Sequence, residues 1–197
     1  MDLSLPADIR ELEHQLDAAE REAEALVAGL SEEQGCRPAE AGCWSVAECL
    51  DHLATGNRVY LRAMQESANR ARTRERYRRR PARPGWVGRL FVSTLEPPPK
   101  WWSRRKAPRS IRPRAAPPLA QTFASFVASQ AEVRAFLRAH ADLDLAGIRF
   151  RNPFVRGIRF SLATGLHVIA AHERRHLWQA WGVRRSIERA GASSLVK

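Results

Sequence analysis

The sequence predicts an all-α fold, a four-helix bundle in which a long connection rich in arginine and proline joins the second and third helices. Apolar residues recur at spacings of three and four in four long segments of the 197-residue chain, and no segment shows the alternation of a half-buried strand. Repeated prolines in residues 71–118 exclude a long regular helix there. The length suits one domain, so we expect residues 1–197 to form a single domain that includes this connector.

The first two helices are predicted from an apolar stripe and a capping motif. In residues 7–30 one apolar stripe lies opposite a charged face that carries His14, which we expect to be solvated. After the loop SEEQGCRPAEAGCW, the sequence Ser45-Val46-Ala47-Glu48 forms a capping box, in which both side chains satisfy free backbone N–H groups. A second helix should begin there and run to about residue 70. Its expected buried residues are Val46, Leu50, Leu53, Leu61 and Met64.

The last two helices follow the proline-rich connector. Helical periodicity returns over residues 119–141. The stretch DLDLAGIRFRNPFVRGIRF is expected to be a loop, with Asn152-Pro153 as a turn marker. A fourth helix is predicted over residues 161–186.

Composition and termini favour a cytoplasmic protein. The chain has no run of 18 apolar residues, so we expect no transmembrane helix. The N-terminus, MDLSLPADIRELEHQ, lacks the basic and apolar regions of a secretory signal. Three cysteines, an odd and sparse number, indicate reduced thiols rather than a disulfide framework.

The net charge of +12 belongs to one segment of the chain. Residues 70–114 contain 16 Lys and Arg against 2 Asp and Glu, whereas the remainder contains 17 against 19. One interpretation is a binding module for nucleic acid or an anionic membrane surface, because basic residues neutralise phosphates and aromatic residues stack on bases. The interpretation we favour is that the tryptophans close the open end of the bundle while the arginines are solvated. The aromatic residues in question are Trp86, Phe91, Trp101 and Trp102.

A pair of histidines in the fourth helix indicates a metal site. In AHERRHLWQAWG, residues 171–182, His172 and His176 stand four residues apart. Each helical residue advances by about 100°, so both imidazoles can face one point. Neutral imidazole is a good ligand for Zn, Ni, Cu and Fe, but two ligands rarely hold an ion. The candidates for a third ligand are His14, His52, His140, His167 and the cysteines Cys36, Cys43 and Cys49.

Among these candidates, His52 has the most suggestive position. His167 lies about 140° around the helix from His172 and does not converge with it easily. His140 falls at a helix end, where a cation is favoured by the helix dipole. His52 lies in the interior of the second helix beside the apolar stripe, where a metal in the bundle would supply it with a partner. A hydrogen-bonded core histidine remains the alternative.

The same string matches H-E-x-x-H, the motif of zinc peptidases. In those enzymes the glutamate activates water on the metal, and a third ligand lies downstream. Only 21 residues follow His176, and they contain no histidine and a single carboxylate side chain, Glu188. We therefore do not expect a peptidase. Glu173 points about 100° away from His172, which predicts a salt-bridge partner or a surface charge rather than a base.

Four segments together resemble the DinB-like superfamily of DinB/YfiT-type bundles, which includes bacillithiol transferases. They are WSVAECLDHL at 44–53, KAPRSIRP at 106–113, the loop DLDLAGIRFRNPF, and AHERRHLWQAW at 171–181, in the order of the family. The resemblance implies a four-helix bundle that holds a divalent ion (Zn, Ni, Fe or Mn) on three histidines, with His52 matching the helix-two ligand and His172 and His176 the helix-four pair. No feature resembles a DNA polymerase.

The resemblance also implies an activity, a metal-dependent hydrolase or thiol S-transferase that acts on a small molecule such as a thiol. A three-histidine site leaves positions for water or substrate, as catalytic sites do. Gln179 shares the face of the histidine pair, where it would hydrogen-bond a ligand or a water on the metal, although a solvent-facing glutamine is an equal alternative. A bundle without catalysis and a homodimer both remain open.

Overall fold

A computed structural model describes residues 5–98 and 108–194, and within them the fold is almost entirely helical. Two short strands, β1 (Arg149–Arg151) and β2 (Arg159–Ser161), form an antiparallel hairpin. The helices are α1 (Ala7–Val27), α2 (Glu32–Cys36), α3 (Val46–Thr73), α4 (Trp86–Ser93), α5 (Leu119–Ala139) and α6 (Leu162–Ser194).

The four long helices α1, α3, α5 and α6 are the four helices that the periodicity predicts. Helix α3 packs against α5 and α6, and α1 packs against the same two helices. The pairs α1/α3 and α5/α6 are therefore diagonal across the bundle. The observed bounds of these helices lie within a few residues of the predicted bounds, except at the C-terminal end, where α6 continues to Ser194. The described helices include none that is long and apolar enough to cross a membrane.

The start of α3 confirms the predicted capping box. The hydroxyl of Ser45 accepts a hydrogen bond from the Glu48 amide at 3.1 Å, and the Glu48 carboxylate accepts one from the Ser45 amide at 2.8 Å. This cap fixes where the helix begins and so fixes the position of His52, which follows within two turns.

Two segments predicted as irregular contain regular structure. The stretch between α5 and α6 is not only a loop, because β1 and β2 form a hairpin there in which Phe150 pairs with Phe160. Both phenylalanines are buried, whereas Arg149, Arg151 and Arg159 point outward. Three-residue strands are too short for a convincing alternation in the sequence. The stretch after α1 likewise contains the five-residue helix α2.

In the described part of the connector between α3 and α5, the regular elements are the short helix α4 and a 3₁₀ turn at Arg109–Ile111. Phe91 of α4 packs on Phe160 of the hairpin, with ring centroids 4.9 Å apart. Trp101 and Trp102 lie outside the described residues.

A buried polar layer crosses the bundle between two apolar clusters. Asn57 of α3 and Gln130 of α5 both donate hydrogen bonds to the Glu173 carboxylate of α6, at 2.8 and 3.3 Å. Gln130 also donates to the backbone carbonyl of Leu16 in α1 at 3.2 Å. On one side of the layer lies the apolar cluster that contains Leu16, Tyr60 and Val133. On the other side lies the cluster that contains Ala19, Ala54 and Phe126. The layer therefore ties all four long helices together at one level.

Candidate metal centre

Three imidazole rings meet beside this polar layer, on the same level of the bundle. His52 comes from α3, and His172 and His176 come from successive turns of α6. Their ring centroids are 4.8 Å (His52–His172), 4.5 Å (His52–His176) and 4.6 Å (His172–His176) apart. The planes of each pair are inclined by 63–73°. One ring nitrogen from each residue lies within 4.8 Å of the other two.

A backbone carbonyl of the connector orients His52. The Nδ1 atom of His52 lies 2.6 Å from the carbonyl oxygen of Ile111. Because a carbonyl oxygen only accepts, Nδ1 carries the proton and Nε2 keeps its lone pair. That Nε2 faces the cluster, 3.0 Å from Nε2 of His172. The 3₁₀ turn of the connector thus sets the tautomer and direction of this histidine.

His176 is oriented in the same way by a side chain of its own helix. Its Nδ1 lies 3.0 Å from Oε1 of Gln179, the residue three positions further along α6. The amide oxygen accepts the Nδ1 proton, which leaves the Nε2 lone pair of His176 free. Gln179 thus lies beside His176 in the structure, and its role as the partner of a metal ligand stays a prediction.

The absence of a side chain at Gly56 makes room for His172. A Cβ atom at position 56 would lie 3.3 Å from Cε1 of the His172 ring. A glycine within a helix destabilises it by about 1 kcal/mol relative to alanine. This position of α3 therefore combines poor helix propensity with close approach of the His172 ring.

The surroundings keep all three imidazoles neutral. Desolvation lowers the pKa of His52, and it lowers the pKa of His176 to about 3. Burial also lowers the pKa of His172 well below its ordinary value, with further contributions from the neighbouring histidines and Arg175. Neutral imidazole is the form that binds metal ions.

The three donors fit a divalent ion. Two nitrogen ligands of a tetrahedral ion with bonds of about 2.0–2.1 Å are separated by about 3.3 Å. The Nε2 atoms of His52 and His172 are 3.0 Å apart, which is close to that separation. Ligating histidines usually donate their second ring N–H to an oxygen acceptor, as His52 and His176 both do here.

Trp44 covers one side of the cluster, a contact that no sequence pattern predicts. Its ring centroid lies 4.7 Å from that of His52 and 5.7 Å from that of His176. Trp44 immediately precedes the Ser45 cap, so the beginning of α3 positions it. The Ile111 carbonyl is the second unforeseen contact. Both come from segments outside the long helices, where periodicity carries no information.

The expectation for Glu173 is wrong. It is neither a surface charge nor a salt-bridge partner, because its side chain is completely buried and its hydrogen-bond partners are the amides of Asn57 and Gln130. Burial raises the pKa of this carboxyl to about 7, and the two amide hydrogen bonds act in the opposite direction. A rotation of about 100° does turn Glu173 away from the histidines, but that direction leads into the bundle core.

The other candidate ligands lie elsewhere. His14 is exposed, as predicted. His140 follows the last residue of α5, and its Nδ1 lies 2.8 Å from the carbonyl oxygen of Phe136. His167 has its Nε2 atom 3.3 Å from the carbonyl oxygen of Ala82. Cys36, Cys43 and Cys49 are free thiols, and none belongs to the histidine cluster.

The basic segment only partly matches its predicted role. Arg72, Arg78 and Arg114 form ion pairs with Asp142, Asp8 and Asp51, respectively. They are not simply solvated. Trp86 is 73% exposed, so it does not close the end of the bundle.

Comparison with known proteins assigns the family. The model of the DinB superfamily matches residues 15–180, which include all three histidines and most of the chain. The chain belongs to the DinB superfamily. No curated protein matches the sequence significantly.

A solved structure from the same kind of bundle supports the fold of this DinB-superfamily chain. This chain is similar in structure to YfiT from Bacillus subtilis, which is described as a probable metal-dependent hydrolase with an unusual four-helix bundle topology. The TM-score is 0.55 at 17% sequence identity, over 97% of this chain and 93% of YfiT. At this identity the likeness establishes the fold alone.

Proposed function

We propose that this protein is a metal-dependent enzyme, a hydrolase or a thiol S-transferase that acts on a small molecule. His52, His172 and His176 would hold one divalent ion, Zn, Ni, Fe or Mn. The observation that carries the proposal is the convergence of three imidazoles in which the Ile111 carbonyl and the Gln179 amide fix the protons of two rings. Membership of the DinB superfamily and the description of YfiT support it.

The donor set favours catalysis over a structural role. Structural zinc sites have four protein ligands, whereas three leave a position for water or substrate. When bound, the ion supplies a Lewis acid that activates a water or thiol nucleophile near neutral pH. The protein holds the imidazoles neutral and shields one side of the cluster with Trp44, while His172 remains partly exposed to an incoming molecule.

The position of Glu173 argues against peptidase chemistry at the H-E-x-x-H string. A general base must come within hydrogen-bond reach of the proton that it removes. The carboxylate of Glu173 is instead held by Asn57 and Gln130 in the core. We therefore expect Glu173→Gln to leave catalysis largely intact, whereas a peptidase would lose it.

The proposal is tested by assaying the metal-loaded protein with three substrate groups: thiols with electrophilic acceptors, simple esters and casein. The expected result is turnover in one of the first two groups, absent in His172→Ala and retained in His167→Ala, a histidine on the same helix outside the cluster. Thiol-dependent turnover identifies a transferase, and thiol-independent ester cleavage identifies a hydrolase. Casein cleavage lost specifically in Glu173→Gln, or inactivity of the loaded wild type throughout, would overturn the proposal.

Removing the amide of Gln179 should weaken metal binding. In Gln179→Ala the Nδ1 proton of His176 loses its acceptor, so the ring is no longer held with Nε2 toward the cluster. Loss of such an outer hydrogen bond typically reduces metal affinity by about 10–100-fold. Competition with a chromophoric chelator measures this change. Gln65→Ala, an exposed glutamine of α3 bonded to Asn69, is the matched control and should bind as wild type does. Equal affinity of both variants would exclude this role for Gln179.

A further inference from the structure

A cavity lies beside residues 80–85 of the basic segment, away from the histidines. Its volume is about 250 Å³, and it opens between the connector and the β-hairpin. Arg80 and Arg83 of the connector, Arg149 of β1, and Ser161 at the end of β2 line it. Three exposed arginines from two separate parts of the chain therefore line one open surface pocket.

These arginines differ in how their charge is compensated. Arg72 and Arg78 of the same segment are paired with Asp142 and Asp8. Arg80 reaches Asp144 through Nε at 3.4 Å. Among the described residues, Arg83 and Arg149 have no such partner. Three arginines therefore line the cavity, and only Arg80 has a carboxylate partner among the described residues, so an anion would find uncompensated donors there.

The backbone that carries the connector arginines is fixed at several points. The Arg78 amide donates to the Asp142 carbonyl at 2.7 Å, and the Asp144 amide donates to the Arg76 carbonyl at 3.0 Å. On the other side, the Ala82 amide donates to the carboxylate of Asp8. Arg80 and Arg83 therefore extend from a segment whose backbone is held by hydrogen bonds, which reduces the backbone entropy lost when they bind a ligand.

Arg149 is fixed by the hairpin. It pairs with Ser161 in the antiparallel register, so both side chains lie on the same face of the hairpin, where Arg149 is exposed and Ser161 is buried. The hydroxyl of Ser161 lies 2.8 Å from that of Thr164. This hydroxyl pair lies at the start of α6, where Thr164 precedes His172 by eight residues, about 12 Å along the helix. The arginine-lined cavity is therefore separate from the metal centre.

We propose that this cavity binds a phosphate group, free or as the headgroup of a small phosphate ester or lipid. Guanidinium groups present paired N–H donors that match phosphate oxygens, and these charge-assisted bonds are among the strongest in proteins. Arg83 and Arg149, which have no carboxylate partner among the described residues, and Arg80, which pairs with Asp144, offer N–H donors from two separate parts of the chain. The site goes beyond the proposed catalytic function and does not depend on a metal.

Wild-type protein is titrated with inorganic phosphate, and binding is measured by calorimetry and by changes in the backbone amide chemical shifts. The ionic strength is held constant because salt screens surface charges. The test variants are Arg83→Gln, Arg149→Gln and the double substitution. Arg151→Gln is the control, since Arg151 lies two residues from Arg149 on the same face of β1 but does not line the cavity. We expect saturable binding that weakens by about tenfold for each cavity arginine and is unchanged in Arg151→Gln.

Two results would overturn the proposal. The first is phosphate binding that survives the double substitution, which would place the anion elsewhere, the metal centre included. The second is equal loss in Arg151→Gln and Arg149→Gln, which would indicate diffuse attraction to a basic surface. Sedimentation with phosphatidic acid vesicles then separates the sources: co-sedimentation lost in the double variant assigns a lipid headgroup, and its absence in wild type assigns a soluble phosphate.

Discussion

His172→Ala is expected to abolish the binding of one divalent ion per chain. The substitution removes one of three converging imidazoles, and His52 and His176 alone cannot complete the site. Loss of a ligand should exceed the roughly 10–100-fold effect of losing an outer hydrogen bond. Elemental analysis of purified protein should find close to one equivalent in the wild type and only a trace in His172→Ala. His52→Ala and His176→Ala should behave alike.

His167→Ala is the matched control for these variants. His167 lies on the same helix, but its Nε2 contacts the Ala82 carbonyl rather than the cluster. We expect it to retain the metal at wild-type stoichiometry. Wild-type occupancy in all three cluster variants would contradict the assignment of the site.

Glu173→Ala is expected to destabilise the fold by about 2–5 kcal/mol. The substitution leaves one N–H of each side-chain amide, Asn57 and Gln130, without an acceptor in the core and opens a cavity between three helices. Urea denaturation of metal-free protein measures this effect separately from metal linkage. Glu173→Gln retains the volume and one acceptor oxygen, so it should be the milder change.

An exposed carboxylate on the same helix provides the control for Glu173. Glu188 pairs with Arg184 four residues before it, with half of its side chain accessible to solvent. Such exposed pairs contribute about 0–1 kcal/mol, so Glu188→Ala should be nearly neutral. If Glu173→Ala were no more destabilising than Glu188→Ala, the polar layer would not be what fixes the helices at this level.

The parts of the fold that the sequence predicts are those governed by local chemistry. Helical periodicity predicts α1, α3, α5 and α6, and the Ser45–Glu48 pair predicts the start of α3 because capping involves only four neighbouring residues. The hairpin is missed because three-residue strands carry almost no pattern. Its partners, Phe150 and Phe160, are joined by hydrogen bonding between segments rather than by spacing.

In the candidate site too, the sequence predicts what local spacing determines and misses what depends on contacts between distant segments. The spacing of His172 and His176 predicts that they share a face, and the interior position of His52 suggests a third partner. The sequence cannot predict that the Ile111 carbonyl orients His52 or that Trp44 covers the rings, because both contacts depend on how the connector and the preceding loop fold. Glu173 is misjudged for a related reason. Helical rotation shows which way a residue turns from His172 but not whether solvent or core lies there.

The central claim is that three named histidines hold one divalent ion, and anomalous diffraction from crystals of the metal-loaded protein tests it most directly. We predict one anomalous peak per chain at coordination distance, about 2.0–2.1 Å for zinc, from the Nε2 atoms of His52, His172 and His176. A peak held by other residues, or the absence of any peak at this cluster in crystals grown with the metal, would contradict the account.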